Sequence, residues 1–116
     1  MHFTKLVPNI FYTDISIGLK TFVECLEFRV THNEGLFYVV EKDELRANLI
    51  QDEKYAREHS PEFRLVTDNI QEVYDRVSSG HPELLHPNLN VITLRPWGAR
   101  EFGVKDGQIG IVIQQW

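Results

Sequence analysis

The sequence predicts an α+β protein built from two tandem βαβββ modules, and three observations predict it. Amphipathic helical spacing occurs twice, each time after a short β-prone run and a capping residue and before three further β-prone runs. Sliding the chain on itself by about 55 residues superposes Ile15, Leu19 and Phe22 on Ile70, Tyr74 and Val77, and Ile10 on Leu65, which marks an internal duplication. A polar stretch from Gln51 to Pro61 separates the halves. The expected organisation is a single domain over residues 1–116, with module 1 at about 1–52 and module 2 at about 60–116.

In the first half, Leu6 to Thr13 is apolar and β-prone, and Asp14 supplies a carboxylate able to cap a helix. Leu19, Phe22, Val23 and Leu26 then fall at the i, i+3, i+4, i+7 spacing that forms one helix face, expected to cover a sheet. Phe28 to Asn33 and Leu36 to Glu41 read as strands around the turn Asn33-Glu34-Gly35. After Lys42-Asp43, Leu45, Ala47 and Leu49 alternate with polar residues as a half-buried strand. Gln51 to Pro61 reads as a linker or a short surface helix.

The second half repeats the order. Glu62 to Thr67 is a strand, Asp68-Asn69 offers caps, and Ile70, Val73, Tyr74 and Val77 repeat the helical spacing up to Ser78-Ser79-Gly80. Short strands are expected at Glu83 to His86 and Val91 to Leu94, then at Arg100 to Lys105, with an Ile-rich strand closing the chain. If Ile10, Tyr12, Phe63 and Leu65 face the helices, alternation sends Asn9, Phe11, Glu62 and Arg64 to the other, concave side; Ile111 and Ile113 are expected there with them.

Composition excludes several function classes. A net charge of -5 with no basic cluster argues against nucleic-acid binding, which needs a concentrated cationic surface. No apolar run approaches the roughly 20 residues needed to span a bilayer, and Met1 to Lys5 lacks a signal-peptide core, so a cytoplasmic protein without membrane partner is expected. The single Cys25 cannot form an internal disulfide and sits in an apolar helical pattern, as an inert buried thiol does. His2, His32, His59, His81 and His86 show no paired metal spacing.

The duplicated halves, the opening Val7-Pro8-Asn9-Ile10-Phe11-Tyr12-Thr13-Asp14-Ile15 and above all Arg95-Pro96-Trp97-Gly98-Ala99-Arg100-Glu101-Phe102 with Asp106 resemble the vicinal oxygen chelate superfamily, nearest to its bleomycin resistance protein branch. The resemblance implies curved mixed sheets, and a divalent metal in the superfamily's enzymes, held by His, Gln or Glu on the first and fourth strands of each module. Carried over by register, those positions fall on Val7, on Leu49 or a neighbour, on Glu62 and on Ile113, so only Glu62 offers a donor, and no metal or other cofactor is expected. Glu62 alone reads either as a base or as a solvated carboxylate paired with Arg64, and Arg100-Glu101 reads as a structural pair.

By the same resemblance the expected function is metal-free binding of an aromatic or cationic small molecule in a homodimer-interface groove, with no catalytic residue. Trp97, Phe11 and Phe37 would stack on the ligand, Glu62, Arg64 and Asn9 would orient it, and Ile111 and Ile113 would line the groove. Trp97 beside Pro96 equally reads as packing a corner. Two alternatives stand beside this: a metal-dependent glyoxalase- or dioxygenase-type enzyme whose ligands lie elsewhere, and a dimer that only interacts with itself.

Overall fold

The computed structural model describes all 116 residues as two compact units, Met1–His59 and Ser60–Trp116. The first unit contains strand β1 (Asn9–Tyr12), helix α1 (Ile15–Leu19) continuing as a π-helical segment (Lys20–Cys25), strands β2 (Arg29–Glu34), β3 (Phe37–Lys42) and β4 (Leu45–Gln51), and helix α2 (Glu53–Glu58). The second contains β5 (Glu62–Val66), α3 (Ile70–Gly80), a 3-10 turn (Pro82–Leu84), β6 (Thr93–Leu94), β7 (Arg100–Lys105) and β8 (Gly110–Gln115). Both are βαβββ. Each forms a four-stranded mixed sheet of equivalent order, β1-β4-β3-β2 and β5-β8-β7-β6, whose one parallel pair joins its first and last strands.

In the first unit, Ile10, Tyr12, Val40, Ala47 and Leu49 share one face of the sheet and are buried with Ile15, Phe22, Cys25 and Phe28. Gly18 lets α1 lie on this face, because a Cβ there would sit 2.5 Å from the Tyr12 ring. The helical face differs from the periodic expectation. Thr21, Phe22, Cys25 and Leu26 are buried while Leu19 and Val23 are half-buried, because the π-helical register rotates the face away from 3.6-residue spacing.

In the second unit, the face formed by Phe63, Leu65, Phe102, Val104, Ile111 and Ile113 packs under α3; Tyr74 meets Phe102 edge-on at 5.1 Å. Asn69 caps α3 by accepting from Glu72 N–H. The segment before β6 is less regular than expected. Instead of a strand at Glu83 to His86 there is the 3-10 turn and one isolated bridge, Leu85 to Val104, and β6 holds only Thr93 and Leu94. Pro82 and Pro87, lacking N–H groups, bracket that bridge. The polar stretch expected as a linker or short helix carries α2, capped by Asp52, whose side chain accepts from Tyr55 N–H. The longest helix, α3, has 11 residues, and no helix is long and apolar enough to cross a membrane.

Candidate binding faces and a polar cavity

Each sheet presents a second face, turned away from α1 or α3, on which most of the candidate residues stand. In the first unit, the register Phe11↔Ile50↔Phe37 lays these three side chains across β1, β4 and β3 as a half-buried apolar row. Beside it Asn48 Nδ2 donates to Asn9 Oδ1 at 2.9 Å. Phe11 is flanked by Tyr55, with ring centres 5.1 Å apart, and by His59 at 6.4 Å. His32 approaches Phe37 at 6.3 Å. Asn9, Phe11 and Phe37 therefore share one face, and Ile50, Asn48, Tyr55 and His59 join them. Strand parity with Asn9 and Phe11 could have found Asn48 and Ile50; Tyr55 and His59 sit in a segment whose polarity masked the helix that brings them there.

In the second unit, the corresponding face carries Glu62, Arg64, Glu101, Gly103, Gly110, Val112 and Gln114. Its centre is Glu101, 1% exposed. Glu101 Oε2 accepts from Arg64 Nη1 at 3.1 Å, Trp97 Nε1 at 3.0 Å and Gln114 Nε2 at 2.7 Å. Three donors, one of them charged, offset the desolvation of a carboxylate that would be very costly to bury alone. The turn at Arg95–Gly98, closed by Gly98 N–H donating to Arg95 O, has Pro96 at its second position and Gly98 at φ 99°. That corner brings Arg95 over the Trp97 ring, 4.7 Å from its centre, with Arg95 Nε 3.6 Å from Glu101 Oε1. Glu101, read from sequence as half of a pair with Arg100, is instead the hub for Arg64 and Trp97, while Arg100 is exposed.

A cavity of about 390 Å³ opens on this face, bordered by Glu62, Arg64, Arg95, Glu101, Lys105 and the His86 to Leu89 wall among others. The wall lies close because residue 103 is glycine: a Cβ there would fall 2.8 Å from His86 Cβ. Gly103 and His86–Leu89 also exchange backbone hydrogen bonds.

Two expectations are corrected. Ile111 and Ile113 do not stand with Glu62 and Arg64: they pair with Phe63 and Leu65 on the α3 side, each 2% exposed, and although Ile111 borders the cavity its side chain belongs to the other face. Register counted forward from Asp106 misses the parity by one residue, and a one-residue slip exchanges the faces. Val112 and Gln114 take their place. The positions carried over as metal-ligand positions change likewise. Leu49 lies buried on the α1 side, while Asn48 and Ile50 face the open side. Trp97 is 49% exposed, so it both packs the corner and keeps ring surface open.

The donors on these faces do not fit a divalent metal site. Asn9 and Asn48 are neutral amides bonded to each other, Gln114 is spent on Glu101, and nowhere do three His, Cys, Asp or Glu side chains converge.

No protein-family model matches the sequence, and no curated protein matches it significantly. Solved structures do. A bleomycin-binding protein complexed with bleomycin is 18% identical, covering 98% of this chain and 99% of its own, with a TM-score of 0.77. The bleomycin-binding protein of the bleomycin producer Streptomyces verticillus, complexed with copper(II)-bleomycin, is 16% identical over 97% of this chain and 96% of its own, with a TM-score of 0.68. A glyoxalase/bleomycin resistance protein/dioxygenase from Nocardioides is 12% identical over 100% of this chain and 85% of its own, with a TM-score of 0.77. The chain has the fold of the bleomycin-binding and glyoxalase/bleomycin resistance/dioxygenase proteins.

Proposed function

We propose that this protein belongs to the bleomycin resistance-like branch of the vicinal oxygen chelate superfamily and binds a small organic molecule with a flat aromatic or cationic part, without a metal and without chemistry on it. It works as a homodimer in which a second copy completes the binding groove. The observation that carries this reading is the pairing of aromatic surface with fixed polar groups on the faces turned away from α1 and α3. Phe11, Ile50 and Phe37 lie beside the Asn9–Asn48 amide pair in one unit. In the other, Trp97 is locked by Glu101 and stacked by Arg95, two residues that border a cavity of about 390 Å³, within the range of small-ligand sites. Apolar burial and stacking supply affinity in such a site, and a few placed polar groups supply orientation. Bleomycin bound in two structures of the same fold supports the ligand class.

The test is a ligand panel of bleomycin-type glycopeptides and planar aromatics, read by Trp97 fluorescence and thermal shift. Saturable quenching that disappears in Trp97→Phe is expected; a silent panel sinks the reading. Elemental analysis of protein purified without chelator is expected to give no stoichiometric metal, and one tightly held transition-metal ion per chain would overturn the metal-free part.

A further inference from the structure

We infer that the cavity of the second unit is a carboxylate subsite, which holds the acid group of an organic carboxylate on the guanidinium of Arg95. The inference rests on the ligand-binding reading above and narrows it. It runs against the sign of the whole molecule: the chain carries -5, yet this cavity is bordered by Arg64, Arg95 and Lys105 against Glu62 and Glu101.

The two acids do not balance the three bases, and they leave guanidinium donors without hydrogen bonds. Glu101 Oε2 is already occupied by Arg64, Trp97 and Gln114. Glu62 lies 3.6 Å from Arg64, so Arg64 is shared between both carboxylates. Arg95 is different. Its Nε is buried with no hydrogen-bond partner: Glu101 Oε1, 3.6 Å away, is within ion-pair reach, as Glu62 is of Arg64, but too far to accept a hydrogen bond. Its terminal Nη atoms donate to no acceptor in the chain, and the Trp97 ring covers one side of the guanidinium plane. Lys105, exposed, forms no ion pair. A guanidinium held flat on an aromatic ring presents its N–H fork edge-on, and the chemical group that matches that fork with two parallel hydrogen bonds is a carboxylate.

The remaining walls suit the body of such a ligand. Gly103 and Gly110 keep two positions of the sheet beneath the cavity free of side chains, beside Val112. His86 Nδ1 accepts from Asn88 N–H at 3.0 Å, so the neutral ring carries its proton on Nε2, a further donor on the wall. The half-exposed Trp97 offers an aromatic neighbour beside the charged end.

The test compares benzoate, benzamide and benzamidine, one shape with three charges, titrated into the full-length protein while the Trp97 indole N–H resonance is followed. Benzoate is expected to bind saturably and about tenfold more tightly than benzamide, with benzamidine weaker still. Arg95→Gln is expected to reduce benzoate affinity to that of benzamide. Arg95→Lys, which keeps the charge but not the fork, should give an intermediate loss and decides the matter if Arg95→Gln does not fold. Arg46→Gln, in the first unit, should change nothing. Equal or tighter binding of benzamide or benzamidine, or benzoate affinity indifferent to both Arg95 variants, overturns the subsite while leaving the small-molecule reading in place. Absence of any shift from all three probes also overturns the subsite, and the glycopeptide and aromatic panel then judges the broader reading separately.

Discussion

Glu101 shows how much one side chain can organise. Its buried carboxylate orients Arg64, Trp97 and Gln114 at once, so Glu101→Ala leaves three donors to find water or strain elsewhere. A loss of roughly 2–4 kcal/mol is expected from the urea midpoint at unchanged slope, with Trp97 emission shifting as its N–H is released. The sequence could not single out this residue, because four successive positions of β7, Glu101 to Val104, are all buried, and alternation tells polar from apolar faces only when one face is wet. A surface carboxylate behaves differently. Asp14 caps α1, and hydrogen bonds from the Ser16 hydroxyl and backbone N–H hold its pKa below the ordinary aspartate value. A depressed folded pKa means that the cap's contribution to stability is complete above the ordinary value and disappears as pH falls through the folded one. Carboxyl-carbon titration should therefore place Asp14 lower than in Ser16→Ala, and Asp14→Asn should remove this part of the acid dependence; an unchanged titration in Ser16→Ala would refute the assignment.

At the scale of elements, the duplication extends to a device that periodicity alone does not disclose. The last residue of β4, Gln51, accepts from Ile15 N–H through Oε1 at 2.9 Å, and the last residue of β8, Gln115, accepts from Ile70 N–H through Oε1 at the same 2.9 Å. In both units a strand-end glutamine thus satisfies a free donor of the first helical turn, alongside the Asp14 and Asn69 caps. Gln115→Leu is expected to cost about 1 kcal/mol in chemical denaturation and to speed hydrogen exchange at Ile70, with Gln51→Leu doing the same at Ile15. Helices and strands with strong alternation or capping chemistry were legible: α3, β5 and β7 lie where the pattern puts them. What was not legible was register. Nothing in Asp106 to Gly110 states how many residues its turn consumes, since Asp106 Oδ1 bonds both Gln108 N–H and Ile109 N–H. A run of Ile111, Val112 and Ile113 is apolar and buried on both parities, so its composition does not state which of its residues face the site. The π-helical segment misled in the same way, by departing from the period the pattern assumes.

For the molecule as a whole, the fold was readable because the same order of elements is written twice, whereas the site was readable only in part: a strand face can be inferred from parity, but Glu101, Arg95 and Tyr55 reach their places through tertiary contacts. The same limit applies to association, which depends on the surface the fold creates. Each four-stranded sheet ends on two edge strands, and β2 is exposed along its whole length. Large apolar side chains stand in solvent, among them Leu94 at 72% and Trp116 at 70% exposure. Unpaired edges and exposed apolar groups of this kind invite a partner, and a second copy of the chain meets both demands with a self-complementary contact. Light scattering is therefore expected to give twice the 13.6 kDa chain mass, falling towards the monomer on dilution. Leu94→Lys or Trp116→Ser, neither of which removes a core side chain, should weaken the dimer with little change in the far-ultraviolet circular dichroism. Ligand affinity in those variants separates two possibilities: if the groove is completed by the second copy, affinity falls together with dimerisation, whereas a strict monomer that binds with full affinity would put the whole site within one chain.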